Sequence, residues 1–131
     1  AAPARILVVD DNAVSREVAA LGLREHGYET LEAPGGPEAL EIMSGEAACD
    51  LVVLDLHMPD MAGEEVFNRL RASGGAGAKA PIVFLTADAD ARVGDRLEGI
   101  GAAARLLKPV DLDELAQTVA RVLAGRPSQA A

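Results

Sequence analysis

Apolar residues in this chain come in short runs, and the runs stop on polar residues of a particular kind. Leu51-Val52-Val53-Leu54 stops at Asp55, Ile6-Leu7-Val8-Val9 at Asp10-Asp11, and Ile82-Val83-Phe84-Leu85 at Thr86. Arg105-Leu106-Leu107 leads into Lys108-Pro109. A short continuous apolar run bounded by turn signals predicts a strand buried on both faces, the kind found in parallel sheets covered by helices. A further run, Tyr28 to Ala33, is interrupted by Glu29 and Glu32 and predicts an edge strand.

Between these runs the period changes to that of a helix. From Val14, the residues Val14, Val18 and Leu21 fall on one face, with Arg16, Glu17 and Arg24 elsewhere, until Gly27 stops the pattern. After the turn Pro34-Gly35-Gly36, Pro37 suits a first helical turn. That helix carries Ala39, Leu40 and Met43 inward before Gly45. A helix from about Glu64 to Ser73 places Val66, Phe67 and Leu70 on the sheet, and Ser73 to Gly77 reads as a surface loop. The stretch Asp88 to Gly99 predicts a helix with a weak apolar face of Val93, Leu97 and Ile100. The last helix is the clearest: Leu112, Leu115, Ala116, Val119, Val122 and Leu123 share a stripe, behind Asp111 as N-cap. Residues 125–131 read as a frayed tail. Five strands alternating with five helices imply right-handed crossovers and an α/β fold with a doubly wound parallel sheet.

Composition narrows the functions available. The 131 residues suffice for one domain with a sizeable core, half of them hydrophobic. Phe67, Phe84 and Tyr28 are the only aromatics, so the core is built from Val, Leu, Ile and Ala. A net charge of −9 argues against nucleic acid or an anionic membrane as direct partner, because phosphate binding needs clustered Lys and Arg. The single Cys49 excludes an internal disulfide and fits a reducing compartment; it reads most simply as a small buried hydrophobe. No apolar run reaches membrane-spanning length. The chain opens on Ala1-Ala2, which reads as a processed product or a piece of a longer protein.

The chemistry gathers at the strand ends. In a parallel sheet, Asp10-Asp11, Asp55, Thr86 and Lys108 all lie on the carboxyl edge, where open α/β sheets place their sites. Singly, each has an ordinary explanation: Asp11 or Asn12 as a helix N-cap, Asp55 as a turn residue, Lys108 as a solvated loop side chain. His57 reads as a loop side chain, and Met43, Met58 and Met61 as packing. If the first and third strands are neighbours, three carboxylates crowd together, and such crowding calls for a cation. Oxygen ligands without a His or Cys cluster favour Mg²⁺. A metal, an ammonium and a hydroxyl around one carboxylate make the equipment for phosphoryl transfer onto that carboxylate.

Taken in order and spacing, these motifs closely resemble the receiver domain of two-component response regulators. They are Val8-Val9-Asp10-Asp11-Asn12, Asp55-Leu56-His57-Met58-Pro59-Asp60-Met61-Ala62-Gly63, Thr86-Ala87 and Lys108-Pro109. The resemblance runs from about Arg5 to Leu123, so that residues 1–124 form the receiver domain and 125–131 a flexible tail. It implies a flavodoxin-like (βα)5 sheet of order 2-1-3-4-5, which makes the first and third strands neighbours. It implies Asp55 as phosphoacceptor, with Thr86 and Lys108 on the phosphoryl oxygens. It implies Mg²⁺ held by Asp10, Asp11, Asp55 and the backbone carbonyl of His57. The Lys108-Pro109 bond is expected to be cis, and Gly63 to fill a turn position that suits a residue without Cβ.

The resemblance further implies a histidine kinase or histidine phosphotransfer protein as donor, a cytoplasmic location, and a monomer or weak dimer. The domain would catalyse only its own phosphorylation and dephosphorylation. The wording of its motifs is similar to receivers attached to hybrid histidine kinases; no DNA-binding segment follows the last helix, which implies a stand-alone messenger or an excised domain. One departure from the family concerns Arg105, which stands three residues before the lysine, where many members carry an aromatic that swings inward with the Thr. Three rivals are weaker. A haloacid-dehalogenase-type phosphatase wants Asp-x-Asp after strand one. A flavodoxin-like FMN protein would have Asp10-Asp11 repelling its phosphate. A receiver-like interaction module that is never phosphorylated leaves the complete acidic set unexplained.

Overall fold

A computed structural model describes residues 3–45, 49–73 and 77–125. Strands β1 (Arg5–Val9), β2 (Glu29–Ala33), β3 (Leu51–Asp55), β4 (Ile82–Thr86) and β5 (Ala104–Leu107) alternate with helices. These are α1 (Ala13–Glu25), α2 (Gly36–Ser44), α3 (Gly63–Ala72), α4 (Ala91–Ile100) and α5 (Leu112–Ala124). All strand pairings are parallel, and the sheet order is β2-β1-β3-β4-β5. The chain thus has the flavodoxin-like doubly wound sheet, with β2 at an edge and β1 beside β3.

The pleat explains why the strand runs are apolar throughout. Successive side chains point to opposite faces, and here both faces are covered. Leu7, Val9, Val52, Leu54, Ile82 and Phe84 pack with residues of α2, α3 and α4. Ile6, Val8, Leu51, Val53, Val83 and Leu85 pack with residues of α1 and α5. Cys49, Met43 and Met58 sit in the first of these cores, Cys49 with its thiol pushed up to about 11 by burial. Phe67 stacks on Phe84, with ring centroids 6.0 Å apart. Arg71 covers the outer face of Phe67 at 4.5 Å and donates to the carbonyls of Ala78 and Ala80, tying α3 to the entry of β4.

Two readings of the helices need correction. The apolar stripe that marked α1 in the sequence is not the face it buries: Val14, Val18 and Leu21 are 69%, 46% and 52% exposed, whereas Ala19, Ala20, Gly22 and Leu23 are buried. Small residues lie inward because α5 comes close; a Cβ on Gly22 would stand 3.1 Å from both Leu112 methyls. Helix α4 begins at Ala91, not Asp88, because the intervening acidic residues serve the turn. The Asp88 N–H donates to Thr86 Oγ1, the Asp90 N–H to Asp88 Oδ1, and Asp90 caps α4 by accepting from Arg92 N–H. Elsewhere boundaries shift by a residue: α2 starts at Gly36 and α3 at Gly63. The expected loop at Ser73 to Gly77 and tail at 125–131 fall largely on residues 74–76 and 126–131, outside the described residues.

Gly63 owes its place to proximity rather than to its φ. A Cβ there would lie 2.6 Å from the Asp55 carbonyl oxygen and 3.0 Å from Leu56 Cα, both backbone atoms that cannot step aside. The Gly63 N–H instead donates to the Leu56 carbonyl, fastening the start of α3 beneath the end of β3. Gly63→Ala is therefore expected to lower the unfolding free energy in urea by about 2 kcal/mol.

Candidate functional site

Strand order brings the sequence-predicted residues together. Val9 is level with Leu54, so Asp10, the next residue, emerges beside Asp55. Thr86 ends β4, on the other side of β3, and pairs in register with Leu107, which precedes Lys108. Asp10 and Asp55 are 1% and 5% exposed and Thr86 is fully buried, while Asp11 lies at the surface. Carboxylate oxygens of Asp10, Asp11 and Asp55 fall within 4.8 Å of one another. Lys108 reaches over them: its Nζ is 2.9 Å from Asp10 Oδ2 and 3.5 Å from Asp55 Oδ1. The peptide bond after it, Lys108-Pro109, is cis.

The electrostatics follow from burial and crowding. Burial pushes the Asp55 carboxyl up to about 6, opposed by the Lys108 ammonium and reinforced by the negative charge of Asp10. For Lys108, burial disfavours the charge, but its hydrogen bond to Asp10 and the charge of Asp55 outweigh that and hold it above the usual lysine range. Among the described residues, no buried side-chain nitrogen or oxygen lacks a hydrogen-bond partner. Three carboxylates facing one ammonium nevertheless leave the pocket negative. The donor set is all oxygen, hard, and compact, which fits a small divalent cation of the Mg²⁺ type.

The contacts around the site were legible in the sequence only in part. Asn12 caps α1 by accepting from Ser15 N–H, and its own N–H donates to Asp10 Oδ1 at 2.9 Å. Of the two candidates for that cap, it is Asn12 that takes it, which leaves Asp11 free for the pocket. Arg16 donates through Nη1 to the carbonyl of Asp10, although helical periodicity had set it merely outside the apolar stripe. The His57 side chain is exposed, as a loop residue should be, while its N–H donates to Asp55 Oδ1 at 3.3 Å. Arg105 is half-buried and finds partners after all: its Nη1 donates to the carbonyls of Asp90 at 3.0 Å and Asp88 at 3.3 Å.

A parallel sheet of this order with an acidic cluster at its carboxyl edge defines a class of fold and site, and the comparisons narrow it to a family. The response regulator receiver domain matches residues 6–120, and the chain belongs to that family. It is 39% identical over 115 residues to the sensor histidine kinase RcsC of Salmonella typhi, across 88% of this chain and 12% of that protein. It is 41% identical over 115 residues to the response regulator MprA of Mycolicibacterium vanbaalenii, across 86% of this chain and 47% of that one. The chain thus spans less than half the length of either relative. Among solved structures, the chemotaxis protein CheY4 of Vibrio cholerae superposes with a TM-score of 0.85 at 31% identity, over 92% of this chain and 99% of that one. A response regulator receiver protein from Pseudomonas putida gives 0.83 at 33% identity, over 92% and 98%. This is a signalling domain of two-component systems, and among the described residues no helix is long and apolar enough to cross a membrane.

The raised Asp55 value has a consequence for stability in the absence of metal. Between 3.8 and about 6 the folded chain keeps a proton that the unfolded chain has released. Stability therefore falls as pH rises through that window and is level above it. Asp55→Asn removes the ionisation, so in EDTA at about pH 7.5 it should exceed the parent by on the order of 2 kcal/mol. In urea titrations at about pH 4 that advantage should vanish.

Proposed function

We propose that Asp55 accepts a phosphoryl group from a phosphohistidine donor and that the domain signals by the change this makes at its surface. The observation that carries the reading is the convergence on Asp55 of two further carboxylates and one ammonium, at the buried end of a central strand. A carboxylate oxygen of Asp55 attacks phosphorus; the P–O bond forms as the P–N bond breaks. The electron pair stays with the imidazole, whose other ring nitrogen carries a proton, and neutral histidine departs. Lys108, already 3.5 Å from Asp55 Oδ1, is placed to pair with a phosphoryl oxygen. Thr86 accepts from the Asp88 N–H, which uses a lone pair and leaves its O–H to donate to another.

Asp10, Asp11 and Asp55, with the main-chain carbonyl of His57, are the groups proposed to hold Mg²⁺. When bound, the ion offsets the pocket's excess negative charge and that of the incoming phosphoryl group. The domain then has no turnover substrate; it catalyses only the gain and loss of its own phosphoryl group. With Mg²⁺ present, the chain should take up label from acetyl phosphate, as followed by acid-stable gel or intact mass. Asp55→Asn should abolish that uptake; a variant that still labels refutes the assignment.

The donor is a histidine kinase or a histidine phosphotransfer protein, and the exposed side of α1 suits its docking. Val14 and Val18 line a hollow with Asp10, Lys108, Pro109 and Val110, directly beside the carboxylates. A protein bringing a phosphohistidine to Asp55 must cover this apolar rim, and removing such surface from water favours association. Val18→Glu should slow transfer from a phosphorylated donor protein about tenfold, or ~1.4 kcal/mol. Labelling by acetyl phosphate, which needs no docking surface, should stay within about twofold of the parent; equal slowing of both would place Val18 in the site itself.

A further inference from the structure

Every polar group of Asp10 is held. Its N–H donates to the Ala33 carbonyl at 3.2 Å, Oδ1 accepts from Asn12 N–H at 2.9 Å, and Oδ2 accepts from Lys108 at 2.9 Å. The remaining group, its carbonyl, accepts from Arg16 Nη1 at 2.9 Å. That carbonyl belongs to the peptide unit joining Asp10 to Asp11, so its orientation governs how two carboxylates leave the backbone. A peptide unit is a rigid plane; fixing its oxygen fixes the plane. The guanidinium is itself fixed, since Arg16 Nε is 3.3 Å from Glu32 Oε1 on the edge strand. Its side chain is only 17% exposed, and Glu32 lies opposite Val8 in the sheet register. One planar fork therefore joins α1, β2 and the end of β1 at the point where the chain turns out of the sheet.

We propose that Arg16 is a positioning residue for the cation site: braced by Glu32, it holds the Asp10-Asp11 peptide plane so that both carboxylates face Asp55. The inference rests on the Mg²⁺ site proposed above. It differs in sign from a simple charge effect. A guanidinium acting only through its charge repels a divalent cation, and the site would bind Mg²⁺ no worse with a different cation in its place. A residue that orients the ligands strengthens binding through geometry, as partners of metal ligands generally do.

Arg16→Lys separates the two, because it keeps the charge and loses the fork: a single ammonium has no second, coplanar nitrogen with which to span Glu32 and the Asp10 carbonyl. By titration calorimetry, Mg²⁺ should bind Arg16→Lys about tenfold more weakly than the parent. Glu32→Gln, which keeps a side-chain oxygen to accept from Arg16 Nε and removes only the charge, should change binding by less than about twofold. At saturating Mg²⁺ the rate of labelling from acetyl phosphate should return to near the parent's, since Arg16 touches no reacting atom. Unchanged or tighter binding in Arg16→Lys overturns the inference, as does an equal loss in Glu32→Gln. So does loss of the folded state in Arg16→Lys, which would place Arg16 among residues that hold the fold. A parent chain that binds no Mg²⁺ or takes no label refutes the phosphoacceptor reading instead; a parent that does both, beside an unaffected Arg16→Lys, removes only the role of Arg16.

Discussion

The crowding of three carboxylates at the carboxyl edge of the sheet is the constraint to which the rest of this structure answers. It arises from the placement of β1 beside β3, which sets Asp10 against Asp55 where both are almost wholly buried. Like charges that close raise the free energy of the folded chain; burial first, and the charge of Asp10 after it, displace the Asp55 carboxyl upward. Lys108 offsets part of it, at 2.9 Å from one carboxylate and 3.5 Å from the other. What remains uncompensated is a net negative charge, which favours a small divalent cation. The crowding that costs the fold stability is thus also what suits it to a cation.

Holding such a cluster in place demands a rigid surround. Apolar side chains on both faces of the sheet lock β1, β3 and β4 in register, and Gly63 brings the start of α3 against the Asp55 carbonyl without a gap. The polar groups near the carboxylates are tied locally: Asn12 and His57 donate main-chain N–H bonds into them, and Arg16 secures the carbonyl between two of them. Charge-assisted and main-chain hydrogen bonds are worth most where water is excluded. Repulsion among the carboxylates is thus resisted by bonds that point at the two buried ones, Asp10 and Asp55, not by the core alone.

How much of this could be read in advance depended on range. The strands and the identity of their terminal residues were legible because they are local: a buried strand is continuous and apolar, and a polar stop is visible at once. Resemblance supplied the strand order, which no periodicity contains. The inward face of α1 was not legible, because close packing against α5 puts Ala19, Ala20 and Gly22 inside and leaves valines for a surface. The start of α4 was misplaced because Asp88 and Asp90 form hydrogen-bonded turns as readily as they occupy a helix. Arg16 was invisible for a related reason: its role lies in reaching back six residues to a carbonyl, and carbonyls leave no trace in side-chain chemistry.

Arg105 shows the same limit from the other side. An aromatic at that position would link the site to the edge of the sheet by packing; a guanidinium desolvated in that way would be costly without partners. The chain meets the difficulty with hydrogen bonds. Thr86 Oγ1 receives the Asp88 N–H, the Asp88 and Asp90 carbonyls receive Arg105, and Asp90 in turn caps α4. Gly94 makes room for it, since a Cβ there would come within 3.1 Å of the guanidinium carbon. Each such bond at the surface contributes about 1 kcal/mol, less than burial of an aromatic ring. The path from Thr86 to β5 is therefore continuous but polar, made of bonds that water can replace, where an aromatic would have made it of contacts that water cannot.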